Sequence, residues 1–194
     1  SLKFYEEMKK RRSVRNFSSD PIPSNVIDNI IATAGTSPSG ANCQPWVFVV
    51  VQDLRLKQQI RAIVEEEEKV NYERRMARSW VKDLEKIGTD WRKEYLETAP
   101  ALIIVMKQVY GEKPDGSRQT NYYYELSSGI ACGVLVTAIH HAGLVTLTST
   151  PMNCGPKLTK LLERPANEKV LLLLPIGYPA ADATVPNIGK KPLD

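Results

Sequence analysis

The stretch from Leu126 to Pro156 contains no Asp, Glu, Lys or Arg, although charged residues make up 25% of the chain. Its most apolar part, 129–139, stops at His140 and so falls well short of the ~18 to 20 apolar residues that a membrane span needs. A segment of this kind is typical of the core of a globular fold. We predict a long buried helix over 122–141.

Four short apolar runs predict the strands of a sheet that this helix covers. They are 46–51, 101–106, 144–148 and 170–176. The first run is rich in β-branched residues and is typical of a strand buried on both faces. Further helices are predicted over 2–10, 24–35 and 156–162. The order of elements indicates helices packed around a mixed central sheet, so the predicted fold class is α+β with α/β-like layering.

Length and a hydrophobic content of 42% indicate one globular domain over 1–194. Basic and acidic residues are interspersed and the formal net charge is only +4, so nucleic acid is not an expected partner. The cysteines are far apart and odd in number, which predicts free thiols in a reducing compartment and no metal site. Because the sequence opens within a helix and without Met, we leave open a membrane anchor before Ser1.

About half of the residues between Arg61 and Glu97 are charged, yet apolar residues recur among them at helical intervals. This pattern predicts two or more helices that attach to the core rather than form it. A segment with so little apolar surface gains little free energy from burial, so it compensates only poorly for the conformational entropy that it loses when it becomes ordered. We therefore expect residues 65–97 or so to form a lid that bound substrate stabilises.

Two segments carry candidate ligand-binding chemistry. Arg11-Arg12-Ser13-Val14-Arg15 places three guanidiniums and a hydroxyl together, which suits a phosphate monoester, although alone it is more typical of a solvated basic turn. The loop 36–46 consists largely of small residues and leads into a predicted strand. Small side chains let backbone amides approach a flat ligand closely, and a tight structural turn is the other interpretation.

Together these segments resemble the nitroreductase-like flavoproteins, in which such motifs hold flavin mononucleotide (FMN). The sequence is most similar to the iodotyrosine deiodinase family, in several motifs that run in order from about residue 10 to the end. These motifs are Glu65–Glu68 with Asn71 and Tyr72, then 91–96, 146–156 and 185–194. The resemblance implies a nitroreductase-like fold, FMN as cofactor, an external electron donor such as a reductase using NADPH, and a domain-exchanged homodimer with each flavin at the subunit interface.

The resemblance also implies which residues bind FMN. The phosphate-binding set is Arg11, Arg12, Ser13, Arg15 and Lys190, and the flavin-contacting set is Pro38, Ser39, Gly40, Thr148, Ser149 and Thr150. Lys190 stands where vertebrate members of the family carry Arg, which keeps the charge but loses the bidentate fork. Thr150 is implied as the catalytic residue, with its hydroxyl facing the redox-active flavin nitrogen. Without the resemblance, a β-branched Thr at this point would be an ordinary strand residue.

The substrate that the resemblance implies is a zwitterion bearing a halogenated phenol. Glu68 and Tyr72 are four residues apart and so share one face of a helix, and Lys93 supplies the opposite charge from a following element. In the family the matching side chains bind the zwitterion, and the residue matching Ala41 offers its backbone N–H to the phenolate. A helix face with ordinary surface charges is the other interpretation of this segment.

The predicted function is FMN-dependent reductive dehalogenation of mono- and diiodotyrosine to tyrosine and iodide through one-electron flavin steps. The alternative is a broad NAD(P)H-dependent nitroreductase or quinone reductase, which would share the flavin-contacting residues. Glu68, Tyr72 and Lys93 favour an amino-acid substrate over a nitroarene. A non-catalytic protein that binds flavin or iodotyrosine is a further alternative.

Overall fold

The chain folds around a four-stranded sheet. The computed structural model describes residues 1–192, and the last two residues of the predicted domain, Leu193 and Asp194, lie outside the described part. The strands of the main sheet are β1 (Trp46–Val51), β2 (Ala101–Gln108), β5 (Val145–Thr146) and β6 (Glu168–Gly177). They lie in the order β1-β2-β6-β5, and each adjacent pair is antiparallel. An isolated parallel bridge between Ser13 and Thr146 makes the pairing mixed.

The remaining elements are mainly helical. The helices are α1 (Leu2–Lys9), α2 (Ser24–Gly35), α3 (Leu54–Val70), α4 (Arg78–Lys86), α5 (Tyr95–Thr98), α6 (Tyr124–His141) and α7 (Gly155–Leu161). A single π-turn, Asn71–Arg75, continues α3, and a short hairpin pairs β3 (Tyr110–Glu112) with β4 (Arg118–Thr120). Within residues 1–192, no helix combines the length and apolarity required to cross a membrane.

Strand β2 lies at the centre and is buried along 101–106. Alternate side chains of a strand point to opposite faces of its sheet. Leu102, Ile104 and Met106 accordingly belong to a core shared with α3, α5 and α7. Their neighbours in sequence belong to a second core shared with α2 and α6. Helices thus cover both faces of the sheet, and the predicted α+β class with layered helices is confirmed.

Two sequence predictions about the strands are wrong in detail. Strand β1 lies at one edge of the sheet and is mostly half-buried, not buried on both faces, because within residues 1–192 only β2 pairs with it. The third predicted strand, 144–148, is reduced to β5, because the chain leaves the regular ladder after Thr146. The hairpin of β3 and β4 was not predicted, since three-residue strands carry almost no periodic signal.

Helix α6 is buried on one side only, which corrects the prediction of a helix buried throughout. Ala131, Cys132 and Leu135 face the core, whereas Leu126 is 66% exposed and Ile130 is 40% exposed. Gly129 and Gly133, which neighbour Leu126 and Ile130 on this helix, are also exposed. The chain by itself therefore leaves one face of its most apolar helix uncovered.

Candidate functional site

A cavity of about 380 Å³ opens between the β5–β6 side of the sheet and the charged helices. Seven of the predicted site residues line it: Arg15, Glu68, Tyr72, Lys93, Thr148, Ser149 and Thr150. They come from four separate parts of the sequence. The fold therefore brings the predicted zwitterion-binding residues and one predicted flavin-contacting segment into a single cavity.

Glu68 and Lys93 carry opposite charges into this cavity. The side chains are only 14% and 7% exposed, and Glu68 Oε2 lies 3.8 Å from Lys93 Nζ. Burial raises the pKa of Glu68, and the facing Lys93 ammonium and the Asn71 side chain oppose that rise. Burial likewise lowers the pKa of Lys93, and Glu68 opposes the change most strongly. Each charge is desolvated and incompletely compensated, so a ligand with both an ammonium and a carboxylate would supply what each lacks.

Lys93 is held in place from its backbone as well as its side chain. Glu65 Oε1 accepts hydrogen bonds from Lys93 N (2.6 Å) and from Arg61 Nε (2.8 Å). Lys93 Nζ donates to the Asp90 carbonyl and, at 3.5 Å, to Thr89 Oγ1. The sequence prediction did not include Glu65, although its position three residues before Glu68 on α3 was an available signal.

Tyr72 reaches the cavity from the π-turn rather than from a regular helical face. Its ring centroid lies 5.8 Å from Lys93 Nζ. Burial raises the pKa of Tyr72, and the nearby Glu68 carboxylate raises it further. The phenol therefore stays protonated and remains a hydrogen-bond donor across the physiological range.

The outer wall of the cavity is apolar. It is formed by Met76, Trp80, Leu84 and Ile87, from α4 and its flanking residues. The sequence pattern identified these residues only as a helical stripe. Their shared face encloses a space next to Glu68 and Lys93 that suits a flat ring.

The Thr148–Thr150 segment forms the opposite wall. Ser149 pairs with Leu173 of β6 through two backbone hydrogen bonds of 2.8 and 3.0 Å. Pairing at Ser149 fixes the segment although β5 has ended, and residues two apart on an extended chain share a face. Thr148 and Thr150 are both exposed where they line the cavity.

The arginine-rich segment lies along the β5 edge. Val14 N donates to Thr146 O at 3.1 Å, which directs Arg15 into the cavity. Arg15 Nε is buried and has no hydrogen-bond partner among residues 1–192. An unpartnered buried guanidinium nitrogen is costly unless an acceptor occupies the site. This observation fits a bound group with oxygen or nitrogen acceptors beside the Thr148–Thr150 segment.

Arg11 and Arg12 line an adjoining cleft, with Thr146 and Val185 among its walls. Arg12 Nη2 donates to the Pro186 carbonyl, so the C-terminal segment is tied beside the basic motif. Lys190 follows four residues later and is exposed. No contact in the described residues brings Lys190 to the arginines.

The loop with Pro38, Ser39, Gly40 and Ala41 does not line the cavity. It packs against the start of α6, where Gly40 N donates to Ser127 Oγ at 3.3 Å. A Cβ on Gly40 would lie 2.9 Å from the Tyr122 carbonyl oxygen, so only glycine fits this approach. Ala41 has φ 49°, a left-handed conformation, and so do Asn42 and Gln44. This constrained loop adjoins the uncovered face of α6.

Metal and thiol chemistry find no support in this arrangement. Within 1–192, no group of three or more His, Cys, Asp or Glu residues could hold a metal ion. Burial raises the pKa of the Cys132 thiol to about 11 and that of Cys154 to about 12. Both thiols therefore stay protonated and unreactive near neutral pH.

Comparison with known proteins gives the family. The Nitroreductase family profile matches residues 8–178. An iodotyrosine deiodinase from Nematostella vectensis is 59% identical over 194 residues, which cover 100% of this chain and 74% of that protein. The chain belongs to the iodotyrosine deiodinase family. Human iodotyrosine deiodinase 1 is 57% identical over the same 194 residues, which cover 67% of its length.

Solved structures agree with this assignment to the iodotyrosine deiodinases. A crystal structure of oxidized iodotyrosine deiodinase bound to FMN and 3-iodo-L-tyrosine has a TM-score of 0.85 and 32% identity, covering 98% of this chain and 96% of that one. A BluB-like flavoprotein from Clostridium difficile has a TM-score of 0.73 at 22% identity, covering 100% and 95%, and shows the shared fold alone. The family predicted from the sequence is confirmed.

Proposed function

We propose that this chain is an FMN-dependent enzyme that removes iodide reductively from mono- and diiodotyrosine and releases tyrosine. One observation carries this proposal: Glu68, Lys93 and Tyr72 converge on the cavity that Thr148–Thr150 also lines. The high identity to iodotyrosine deiodinases and the structural match to the member bound to FMN and 3-iodo-L-tyrosine support it.

FMN fits the residues that surround the cavity. Arg15 Nε lacks an acceptor, and Thr148, Ser149 and Thr150 present a narrow polar wall beside it. Arg15, predicted to bind the phosphate, lies instead beside the Thr148–Thr150 wall, so we assign the phosphate to Arg11, Arg12 and Ser13, with Lys190 as an additional charge. When bound and reduced, FMN supplies two electrons in one-electron steps, so that with one proton the carbon–iodine bond becomes a carbon–hydrogen bond and iodide leaves.

The protein's own part in the reaction begins with the zwitterion. Glu68 accepts hydrogen bonds from the substrate ammonium, and Lys93 Nζ and the Tyr72 hydroxyl donate to its carboxylate. The ligand thereby relieves the desolvation of both buried charges. The apolar wall of α4 covers the halogenated ring and excludes water from it.

Thr150 is the residue we assign to control of electron transfer. Thr150 lines the cavity, and in the proposed complex its hydroxyl would donate a hydrogen bond to the flavin. One hydrogen bond worth about 1.4 kcal/mol shifts a one-electron equilibrium about tenfold, or about 59 mV. With FMN bound, a shift of that size from Thr150 would favour stepwise electron transfer over transfer of a hydride.

The lid remains a proposal, which the loose packing of α4 supports. Helix α4 contains no buried residue, and Trp80 is 48% exposed. A helix with so little burial opens at low free-energy cost. Substrate contacts with Tyr72 and the α4 wall would then favour the closed arrangement.

We also propose a homodimer. The loop 38–41 is predicted to contact the flavin and the substrate, yet within one chain it does not line the cavity. Pro38, Ser39, Gly40 and Ala41 adjoin the uncovered face of α6 instead of lining the cavity. Packing two α6 faces together buries that face and carries the loop of each protomer toward the other's site. The Ala41 N–H is then available to the substrate phenolate.

Electrons enter, in our proposal, from a separate reductase that uses NADPH or an equivalent donor. The paired charges of the cavity suit an amino acid more closely than a dinucleotide. The three cysteines, Cys43, Cys132 and Cys154, are free thiols, which supports a reducing compartment.

Turnover of diiodotyrosine tests the proposed reaction directly. The purified protein is expected to be yellow and, after reduction with dithionite, to release iodide at an ion-selective electrode. Absence of iodide release beside rapid NADPH-driven reduction of a nitroarene would instead establish a nitroreductase. Tight iodotyrosine binding without iodide release would establish a non-catalytic binding protein.

The pH dependence of binding follows from Glu68. Protonation removes the negative charge that binds the ammonium, and burial raises the pKa of Glu68. Affinity for 3-iodotyrosine should therefore begin to fall, on acidification, at a higher pH than an exposed glutamate would give.

A desamino analogue with the same iodophenol ring isolates this effect, because it lacks the ammonium. The ratio of the analogue's dissociation constant to that of 3-iodotyrosine should decrease as the pH falls through the pKa of Glu68. Calorimetric titrations across mildly acidic pH measure both constants. A ratio that stays constant over this range contradicts the assignment of Glu68.

A further inference from the structure

Asn71 is completely buried at the point where α3 passes into the π-turn. Both polar atoms of its side chain are hydrogen-bonded, and the bonds run in two directions. A buried amide with satisfied donors and acceptors fixes the elements that it joins, whereas an unsatisfied one is costly. Neither the predicted zwitterion-binding set nor the predicted flavin-contacting set includes this residue.

The first direction leads to the turn that follows Thr150. Asn71 Nδ2 donates to the Met152 carbonyl oxygen at 3.3 Å, and Asn153 Nδ2 donates to Asn71 Oδ1 at 3.1 Å. Asn153 has φ 66°, a left-handed conformation that asparagine adopts more readily than most residues. Asn71 is thus bonded to two residues of the segment that continues the Thr148–Thr150 wall.

The second direction leads into the lid. Arg75 Nη1 donates to Asn71 Oδ1 at 3.0 Å, and Met76 N donates to the Asn71 carbonyl oxygen at 2.8 Å. The latter bond spans five residues and closes the π-turn, a form of helix that is frequent at functional sites. Glu68 lies one helical turn before Asn71, and Tyr72 is the next residue. Asn71 therefore determines where both side chains enter the cavity.

We infer that Asn71 is a positioning residue that holds the zwitterion-binding side chains, Glu68 and Tyr72, in register with the Thr148–Thr150 wall. The inference rests on the proposed function and adds a residue to it. Asn71 is not among the residues that line the cavity. Its buried amide joins the two walls of the cavity. It therefore fixes the distance between the side chains that bind the amino-acid end of the ligand and the wall beside the ligand's ring.

A double-mutant cycle between Asn71 and Asn153 tests this inference. The variants are Asn71→Ala, Asn153→Gly and the double variant, and glycine adopts the left-handed backbone of residue 153 without strain. Calorimetry on FMN-loaded protein should show that each single variant weakens 3-iodotyrosine binding about 10-fold. The double variant should be weakened by clearly less than the about 100-fold that two independent losses would give, because both changes remove the bond between Asn153 Nδ2 and Asn71 Oδ1.

Asn167→Ala is the matched control. Asn167 is also buried, and its Nδ2 donates to the Tyr110 carbonyl oxygen at 2.8 Å, away from the cavity. This variant should lower the thermal unfolding temperature but leave 3-iodotyrosine affinity unchanged. FMN affinity should change by less than about threefold in all three of these single variants.

The outcomes separate this inference from the proposed function. Failure of the unaltered protein to bind 3-iodotyrosine would reject the proposed function itself. Normal affinity in Asn153→Gly, or strictly additive losses in the double variant, would reject the positioning role while leaving the function intact. If Asn71→Ala does not fold, the Asn153→Gly affinity alone decides, since that variant removes the bond from Asn153 to Asn71 and leaves Asn71 itself in place.

Discussion

Glu68→Gln is expected to weaken 3-iodotyrosine binding by about 2 to 5 kcal/mol, which is about 30-fold to several thousand-fold, while FMN remains bound. The substitution keeps the size of the side chain and removes its charge. The substrate ammonium would then be desolvated without a counter-charge, and Lys93 would lose the carboxylate at 3.8 Å that opposes the effect of burial on its pKa. Calorimetric titration of the FMN-loaded variant measures the loss.

Glu66→Gln provides the matched control for this prediction. Glu66 lies in the same acidic run, but its side chain is 68% exposed and pairs at the surface with Lys157 at 2.8 Å. Exposed ion pairs contribute little, so halotyrosine affinity should not change. Equal affinities for Glu68→Gln and the unaltered protein would show that the ammonium binds elsewhere and that the lid has been misplaced.

The sequence was sufficient to predict the layered fold and seven of the residues that line the cavity. Apolar runs marked β2 and β6, since buried strands are continuous in hydrophobicity. The cavity residues were predicted by resemblance, and spacing alone gave only the shared face of Glu68 and Tyr72. Charge, by contrast, did not distinguish Glu68 from Glu66, because burial depends on how α3 docks and not on local sequence.

Other features depend on contacts between distant residues and leave no local pattern. Asn71 contacts Met152 and Asn153, more than eighty residues away in sequence, so periodicity cannot indicate its role. The π-turn changes the face that Tyr72 presents through one bond spanning five residues. Strand β1 was predicted to be buried on both faces because its composition is apolar and β-branched, yet its position in the sheet is decided by which strands pair with it.

A charge on the uncovered face of α6 is expected to abolish dimerisation. Ile130→Arg places a charge on a helix face where Leu126 and Ile130 are exposed and where Gly129 and Gly133 allow close approach. If this face forms the dimer, an unpaired buried guanidinium makes association strongly unfavourable. Sedimentation velocity should show a dimer for the unaltered protein and a monomer for the variant.

Loss of the dimer should also reduce FMN affinity. This second effect would show that the dimer interface contributes residues to the flavin site. The loop with Pro38, Ser39 and Gly40 adjoins α6 and does not line its own chain's cavity, so a monomer would lack those contacts. Removing a few hydrogen bonds of about 1 kcal/mol each corresponds to about 100-fold weaker FMN binding.

Leu54→Arg is the control for the α6 substitution, because Leu54 is 54% exposed at the start of α3, on the opposite side of the sheet. It should remain a dimer with normal FMN affinity. A monomeric Ile130→Arg that keeps full FMN affinity would mean that one chain completes the flavin site. In that case the loop would have to leave Tyr122 and Ser127 to reach its own cavity, which the fit of Gly40 against the Tyr122 carbonyl opposes. The dimer is therefore the arrangement that satisfies both the uncovered helix and the constrained loop.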